Sequence, residues 1–183
     1  MPDFEKICGW THRAHSPASA GLTSPQMMEN IRMPHTFSPL HGACECGTCT
    51  FNISVLPSAR LICHCTICQA FTGQSYSDVT IVRAKHVTLT NEDQIAFKKY
   101  RPPPNLSRGL CLRCKKPVLE FSGFGAFKWA FIPAGNFEIQ SLPMPQMHIF
   151  YDQHLEDAPD DLPKHSGYLR SQLAIVRMLM GTL

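Results

Sequence analysis

The stretch Cys63-His64-Cys65-Thr66-Ile67-Cys68 gathers three thiols into one short run, and two further groups flank it, Cys44-Glu45-Cys46 and Cys111-Leu112-Arg113-Cys114. Seven of the nine cysteines fall in these groups. Cysteines one or two residues apart can turn both sulfurs toward one ion about 2.3 Å away, whereas that spacing strains a disulfide between them. Metal ligation is therefore the reading the spacing favours.

The seven thiols divide into four plus three. A structural zinc is closed by four protein ligands, while a catalytic zinc keeps a position open beside three. The pairs Cys44/Cys46 and Cys111/Cys114 can clamp one ion from distant parts of the chain, leaving Cys63, Cys65 and Cys68 to hold a second. The competing reading of that triad is another closed site, its fourth ligand being Cys49, His41, His64 or His148. Cys8 and Cys49 read as buried or idle thiols, since free cysteine packs as a small hydrophobe.

At 183 residues, with 44% hydrophobic content, the chain fits one domain with extensions. The net charge is +3, without a basic block or stripe, so neither nucleic acid nor an acidic membrane surface is expected as partner. The first residues build no continuous apolar run, so no secretion signal is expected, and no stretch is long enough to span a bilayer. An odd number of cysteines in metal-like spacing fits a reducing compartment, the cytoplasm.

Residues 1–39 read as an arm rich in Pro, Ser, Met and His, with Ser24-Pro25 suited to start a short helix. Residues 40–167 read as a β-rich zinc-binding domain. Cys49, Phe51, Ile53 and Val55 alternate with polar residues over 48–55, the period of a half-buried strand. Further strands are predicted over 76–82, 86–89, 95–100, 118–121, 127–132 and 147–151, with Pro102-Pro103-Pro104 and Ser122-Gly123 as turns. Residues 168–183 predict a terminal helix whose stripe Leu169, Leu173, Val176 and Met180 packs on the sheet or, alternatively, makes a dimer contact.

The order of groups, with their surroundings, resembles the glutathione-dependent formaldehyde-activating enzyme family, which includes centromere protein V. The resemblance is carried by His41-Gly-Ala-Cys-Glu-Cys-Gly47, by Cys63-His-Cys-Thr-Ile-Cys-Gln-Ala-Phe-Thr-Gly73 and by Gly109-Leu-Cys-Leu-Arg-Cys114, followed by Pro133-Ala-Gly-Asn-Phe137, His148-Ile-Phe and Asp161-Leu-Pro163. It implies a mainly β protein, a β-tent of antiparallel sheets stitched by two zinc ions. It implies a structural zinc on Cys44, Cys46, Cys111 and Cys114 and chemistry at Cys63, Cys65 and Cys68. The implied activity joins glutathione to formaldehyde, giving S-hydroxymethylglutathione. Two departures stand out: Lys115 occupies the place of the family's usual glycine, and Cys49 that of a small or hydrophobic residue.

A zinc ion with three cysteine ligands is a modest Lewis acid, so thiolate delivery is expected over water activation, and with it a carbon–sulfur lyase or synthase. A zinc enzyme acting on another small carbonyl metabolite, by dehydration or isomerisation, and a non-enzymatic zinc module are the alternatives. Gln69, Thr72 and Gly73 are expected at the border of the open position, and Trp129 and Phe131 in the core. His64 is expected at the surface. A glutathione pocket needs cations, for which Lys98, Lys99, Arg101 and Arg113 are available. The partners expected are thus a small molecule, glutathione first, and a second copy of the chain through the arm or the terminal helix.

Overall fold

A computed structural model describes residues 38–100 and 106–181. The expected arm up to Phe37, with Cys8 and the helix start at Ser24-Pro25, lies outside the described residues, as do Arg101 and the triple-proline turn. The described chain is mainly β, with two sheets and a terminal helix.

The smaller sheet has three antiparallel strands, β1 (Leu40–Ala43), β2 (Thr50–Ile53) and β5 (Val87–Leu89), in the order β1-β2-β5. The larger has eight: β3 (Ala59–Cys63), β4 (Ser77–Arg83), β6 (Ile95–Lys99), β7 (Ser107–Cys111), β8 (Pro117–Ser122), β9 (Trp129–Pro133), β10 (His148–Ile149) and β11 (Lys164–His165). Their order is β11-β10-β3-β4-β9-β8-β7-β6. All its pairings are antiparallel except those of the two-residue β10 with β3 and β11, which are parallel.

The pleat sorts side chains to the two faces of the large sheet. On β4 and β9, Val82, Ala130 and Ile132 join Phe51 and Ile53 of the small sheet in one buried core. Val79 and Ile81 point the other way, into a second core with Leu61, Ile149 and Ala174. Burying each of these larger aliphatic side chains contributes roughly 1.5–3 kcal/mol. Gly109 on β7 is required by crowding: a Cβ there would lie 2.7 Å from Ile95 Cγ2 and 2.9 Å from Phe97 Cε1. The register shifts between Gly109 and Leu110, just ahead of Cys111.

Two helices complete the fold, α1 (Thr66–Thr72) directly after the cysteine-rich end of β3 and α2 (Tyr168–Met180) at the end of the chain. The terminal helix forms where predicted but turns its other side inward. Leu169, Leu173, Val176 and Met180 are 74%, 55%, 47% and 59% exposed, while Ser171 and Ala174 are buried and Ile175 and Met178 pack on the second core. Small residues let the helix come close. Ser171 Oγ accepts the Phe150 N–H at 2.8 Å and donates to His165 O at 3.2 Å, which fixes the helix to the strands beside it.

The predicted strand over 147–151 contracts to His148–Ile149, because Phe150 takes a left-handed backbone (φ 53°) and Tyr151 opens a turn. Strands β1, β3, β7 and β11 were not legible as strands in the sequence.

Candidate metal centre

The first cluster forms where two tight turns meet. Gly47, at φ 74°, donates its N–H to Cys44 O and closes the turn that carries Cys44 and Cys46. Across from it, the turn between β7 and β8 carries Cys111 and Cys114, closed by Lys115 N–H to Cys111 O at 2.9 Å. Lys115 holds φ 59° there, a left-handed backbone that a glycine takes without the Cβ clash.

The four ligand sulfurs Cys44, Cys46, Cys111 and Cys114 lie within 4.8 Å of one another. Cys46 Sγ is 3.6 Å from Cys44 Sγ and 3.8 Å from Cys111 Sγ. Four sulfurs set tetrahedrally at about 2.3 Å from a zinc ion stand about 3.8 Å apart, so this donor set fits that ion. The Cys46 thiol is lowered to about 6, first by the Thr48 hydroxyl 3.3 Å away and then by the Thr48 backbone. Cys49 is fully buried beside the cluster but outside it, donating to Gln94 O at 3.3 Å, and burial pushes its thiol up.

The second cluster is built by β3 running into α1. Cys63 ends the strand, Cys65 is the N-cap of the helix and Cys68 sits in its first turn. Cys65 has an extended backbone (φ −63°, ψ 142°), and its sulfur accepts the Cys68 N–H at 3.3 Å. Cys63 and Cys68 sulfurs are 3.5 Å apart, and all three lie within 4.8 Å of each other. Within the group the Cys65 thiol is lowered. Hydrogen bonds from the Cys63 and Cys68 thiols lead, and the Cys68 N–H and the Arg108 charge add to them against burial.

No fourth His, Cys, Asp or Glu among the described residues joins this triad. The four ligands considered from sequence are all engaged elsewhere. Cys49 belongs beside the first cluster, and His41 pairs with Asn52. His64 turns away from its cysteine neighbours: its Nε2 lies 2.8 Å from His148 Nδ1, and His148 Nε2 lies 3.0 Å from an Asp160 carboxylate oxygen. The expectation that His64 is a surface residue is corrected, since it is 3% exposed. The β3–β10 pairing brings the two imidazoles together, and burial, with His148 and His154 nearby, lowers His64 to about 4.

In place of a fourth ligand the triad faces a cavity of about 460 Å³. Its walls come from the second-core face of the large sheet and from α2, and include Val79, Trp129, Phe131, Ile149 and Ile175. Trp129 and Phe131, expected in the core, are half-buried and line this cavity. Gln69, Thr72 and Gly73 do not. The Gln69 amide donates to His64 O and Gln153 O, Thr72 bonds back into its helix, and Gly73 is the left-handed C-cap.

Two residues that motif reasoning did not single out stand at the cavity floor. Arg108 on β7 and Glu120 on β8 are direct cross-strand partners, and both are buried. Arg108 Nε is 2.8 Å from Glu120 Oε2, an ion-pair distance, yet the N–H is not aimed along that line and neither atom has a hydrogen-bond partner among the described residues. Arg108 Nη2 reaches to 3.9 Å from Cys68 Sγ. Burial raises Glu120 to about 7 against the pull of Arg108, with Cys65 adding to the rise. Lys98, Lys99 and Arg113 are exposed and line no part of the cavity.

A family model described as glutathione-dependent formaldehyde-activating enzyme matches residues 39–153. The chain belongs to that family. The match takes in both cysteine clusters and stops before α2. No curated protein matches the chain. Among solved structures, a Rhodobacter sphaeroides protein from a structural-genomics programme is similar at 11% identity, covering 68% of this chain and 99% of its own, with a TM-score of 0.46.

Proposed function

We propose that this family member is a zinc-dependent carbon–sulfur lyase or synthase, joining a thiol to a small carbonyl compound or reversing that addition, with S-hydroxymethylglutathione as the family's reference adduct. The observation that supports it is the difference between the two clusters. Four sulfurs surround one position, whereas three sulfurs hold the other and the cavity takes the remaining side.

Cys44, Cys46, Cys111 and Cys114 would hold a structural zinc, and Cys63, Cys65 and Cys68 the one beside the reactants. When bound at the triad, zinc supplies a seat where a thiol loses its proton at neutral pH. The chain's own residues do the rest. The Cys65 cap and the Arg108 guanidinium hold the three sulfurs in place, and the Trp129 and Phe131 wall keeps water away from the reacting groups. In the addition, sulfur bonds to the carbonyl carbon, the carbon–oxygen π pair moves to oxygen, and one proton passes from thiol to oxygen, so no oxidant or reductant enters. Glu120, which lines the cavity and is raised to about 7, would hold that proton in transit.

The eight described cysteines are all free thiols, which supports a reducing, cytoplasmic setting. No helix among the described residues is long and apolar enough to cross a membrane. The outward row Leu169, Leu173, Val176 and Met180 on α2 supports a homodimer contact there.

The test is zinc quantification on wild type and Cys65→Ala, with consumption of formaldehyde and thiol followed in the same samples. Loss of one zinc and of turnover, with the fold preserved, is the expected result. A fully active Cys65→Ala protein contradicts the reading.

A further inference from the structure

We infer that the thiol this chain handles is an uncharged molecule with an apolar body, and that α2 selects it. The inference rests on reading Cys63, Cys65 and Cys68 as the reacting end of the cavity, and it departs from glutathione as the molecule bound there.

Charge is the first argument. Arg108 and Glu120 are the only charged side chains apart from the cysteines in the described lining of the cavity, and they stand 2.8 Å apart with opposite sign. Arg108 is taken up by Glu120 and by Cys68 Sγ 3.9 Å away, so it is not free for a carboxylate of a ligand. Glutathione would bring two carboxylates and an ammonium into walls that pair none of them, and a charge taken out of water without a partner is strongly disfavoured.

The walls are the second argument. Trp129, Phe131, Ile149, Phe150 and Ile175 give the cavity an apolar lining, and about 460 Å³ is room for a small organic molecule. The floor pair adds no free polar group to that lining, since Arg108 Nε and Glu120 Oε2 stand 2.8 Å apart and both atoms are buried within the protein.

The terminal helix supplies part of that wall. Tyr168, Gln172 and Ile175 of α2 line the cavity, and all three lie beyond residue 153, where the family match ends. The cysteine clusters are thus the family's, whereas this wall is supplied by a segment outside its matched region.

The test is calorimetric titration of the full-length, zinc-loaded protein with straight-chain 1-alkanethiols from propyl to hexyl, with the matching 1-alkanols, and with glutathione. Affinity is expected to rise about fourfold per methylene in both series, roughly 60-fold from propyl to hexyl, with hexanethiol binding more tightly than glutathione. Ile175→Ala is expected to weaken the hexyl member about tenfold while leaving the propyl member unchanged. Affinities that do not change with chain length, or glutathione binding more tightly than hexanethiol, overturn the inference; the wild-type series decides this even if the variant does not fold. A chain-length gradient with thiols no tighter than alcohols upholds the apolar site and contradicts the open triad, so the two readings fail separately.

Discussion

Cys65 caps the helix that carries Cys68: its sulfur accepts the Cys68 backbone N–H at 3.3 Å, so one side chain serves both the triad and the start of α1. Losing an N-cap costs about 1 kcal/mol. Serine can keep the cap but not the thiolate. Cys65→Ser and Cys65→Ala are therefore expected to lose the second metal equally, with Cys65→Ser the more stable by roughly 1 kcal/mol in denaturant melts. Equal stability of the two variants would show that the cap contributes nothing.

The four-cysteine cluster joins the β1–β2 connection to the β7–β8 turn, which are otherwise bridged at the surface by the Lys116–Glu45 ion pair and the Arg113–Thr48 hydrogen bond. Cys111 is fully buried there. Cys111→Ser is expected to lower bound zinc by at least one ion and to destabilise the protein by more than about 4 kcal/mol. A chelator strong enough to strip this site should have the same effect on the wild type. Metal analysis with thermal unfolding checks both.

Lys115 holds φ 59° where the turn carrying Cys111 and Cys114 closes. A left-handed backbone costs a residue with a Cβ about 1–2 kcal/mol, and part of the gain from glycine is lost to its freer unfolded chain. Lys115→Gly is expected to stabilise the protein by roughly 0.5–1 kcal/mol without altering metal content. Chemical denaturation measures it, and a destabilised variant would count against strain at this turn.

Glu120 is raised from an ordinary 4.5 to about 7 in the fold, chiefly by burial. Between those values the folded chain holds a proton that the unfolded chain gives up. Its contribution is therefore fully present below 4.5, falls as pH rises, and is gone above about 7. Glutamine has no such dependence. The stability of Glu120→Gln relative to wild type should rise across that window by on the order of 3 kcal/mol, whatever fixed penalty the substitution carries. A difference that stays constant with pH contradicts the raised carboxyl.

The cysteine groups were legible because ligands one or two residues apart need no knowledge of the fold, and β2 was legible through its alternation. β3 was hidden because Leu61-Ile62-Cys63 is continuously apolar and the strand buries a charged residue, Arg60, bonded to Asp78 at 2.8 and 2.6 Å. β7 was hidden by Ser107, Arg108 and Gly109, which read as loop. Arg108 and Glu120 meet only after β7 and β8 pair around the Cys111–Cys114 turn. The sequence offered no register signal for the pair, because Arg108 lies three residues before Cys111 and Glu120 six after Cys114. In α2 the sequence offers two apolar faces, and the bulkier one draws the eye. The helix docks instead by Ser171 and Ala174, whose small size is the reason they fit.

The most direct measurement of the central claim is a crystal structure with anomalous scattering at the zinc edge, from crystals grown with an alkanethiol. The account predicts one ion enclosed by Cys44, Cys46, Cys111 and Cys114, and a second held by Cys63, Cys65 and Cys68 whose fourth neighbour is the added thiol. A protein side chain as that fourth neighbour, or no metal between the three sulfurs, would contradict it.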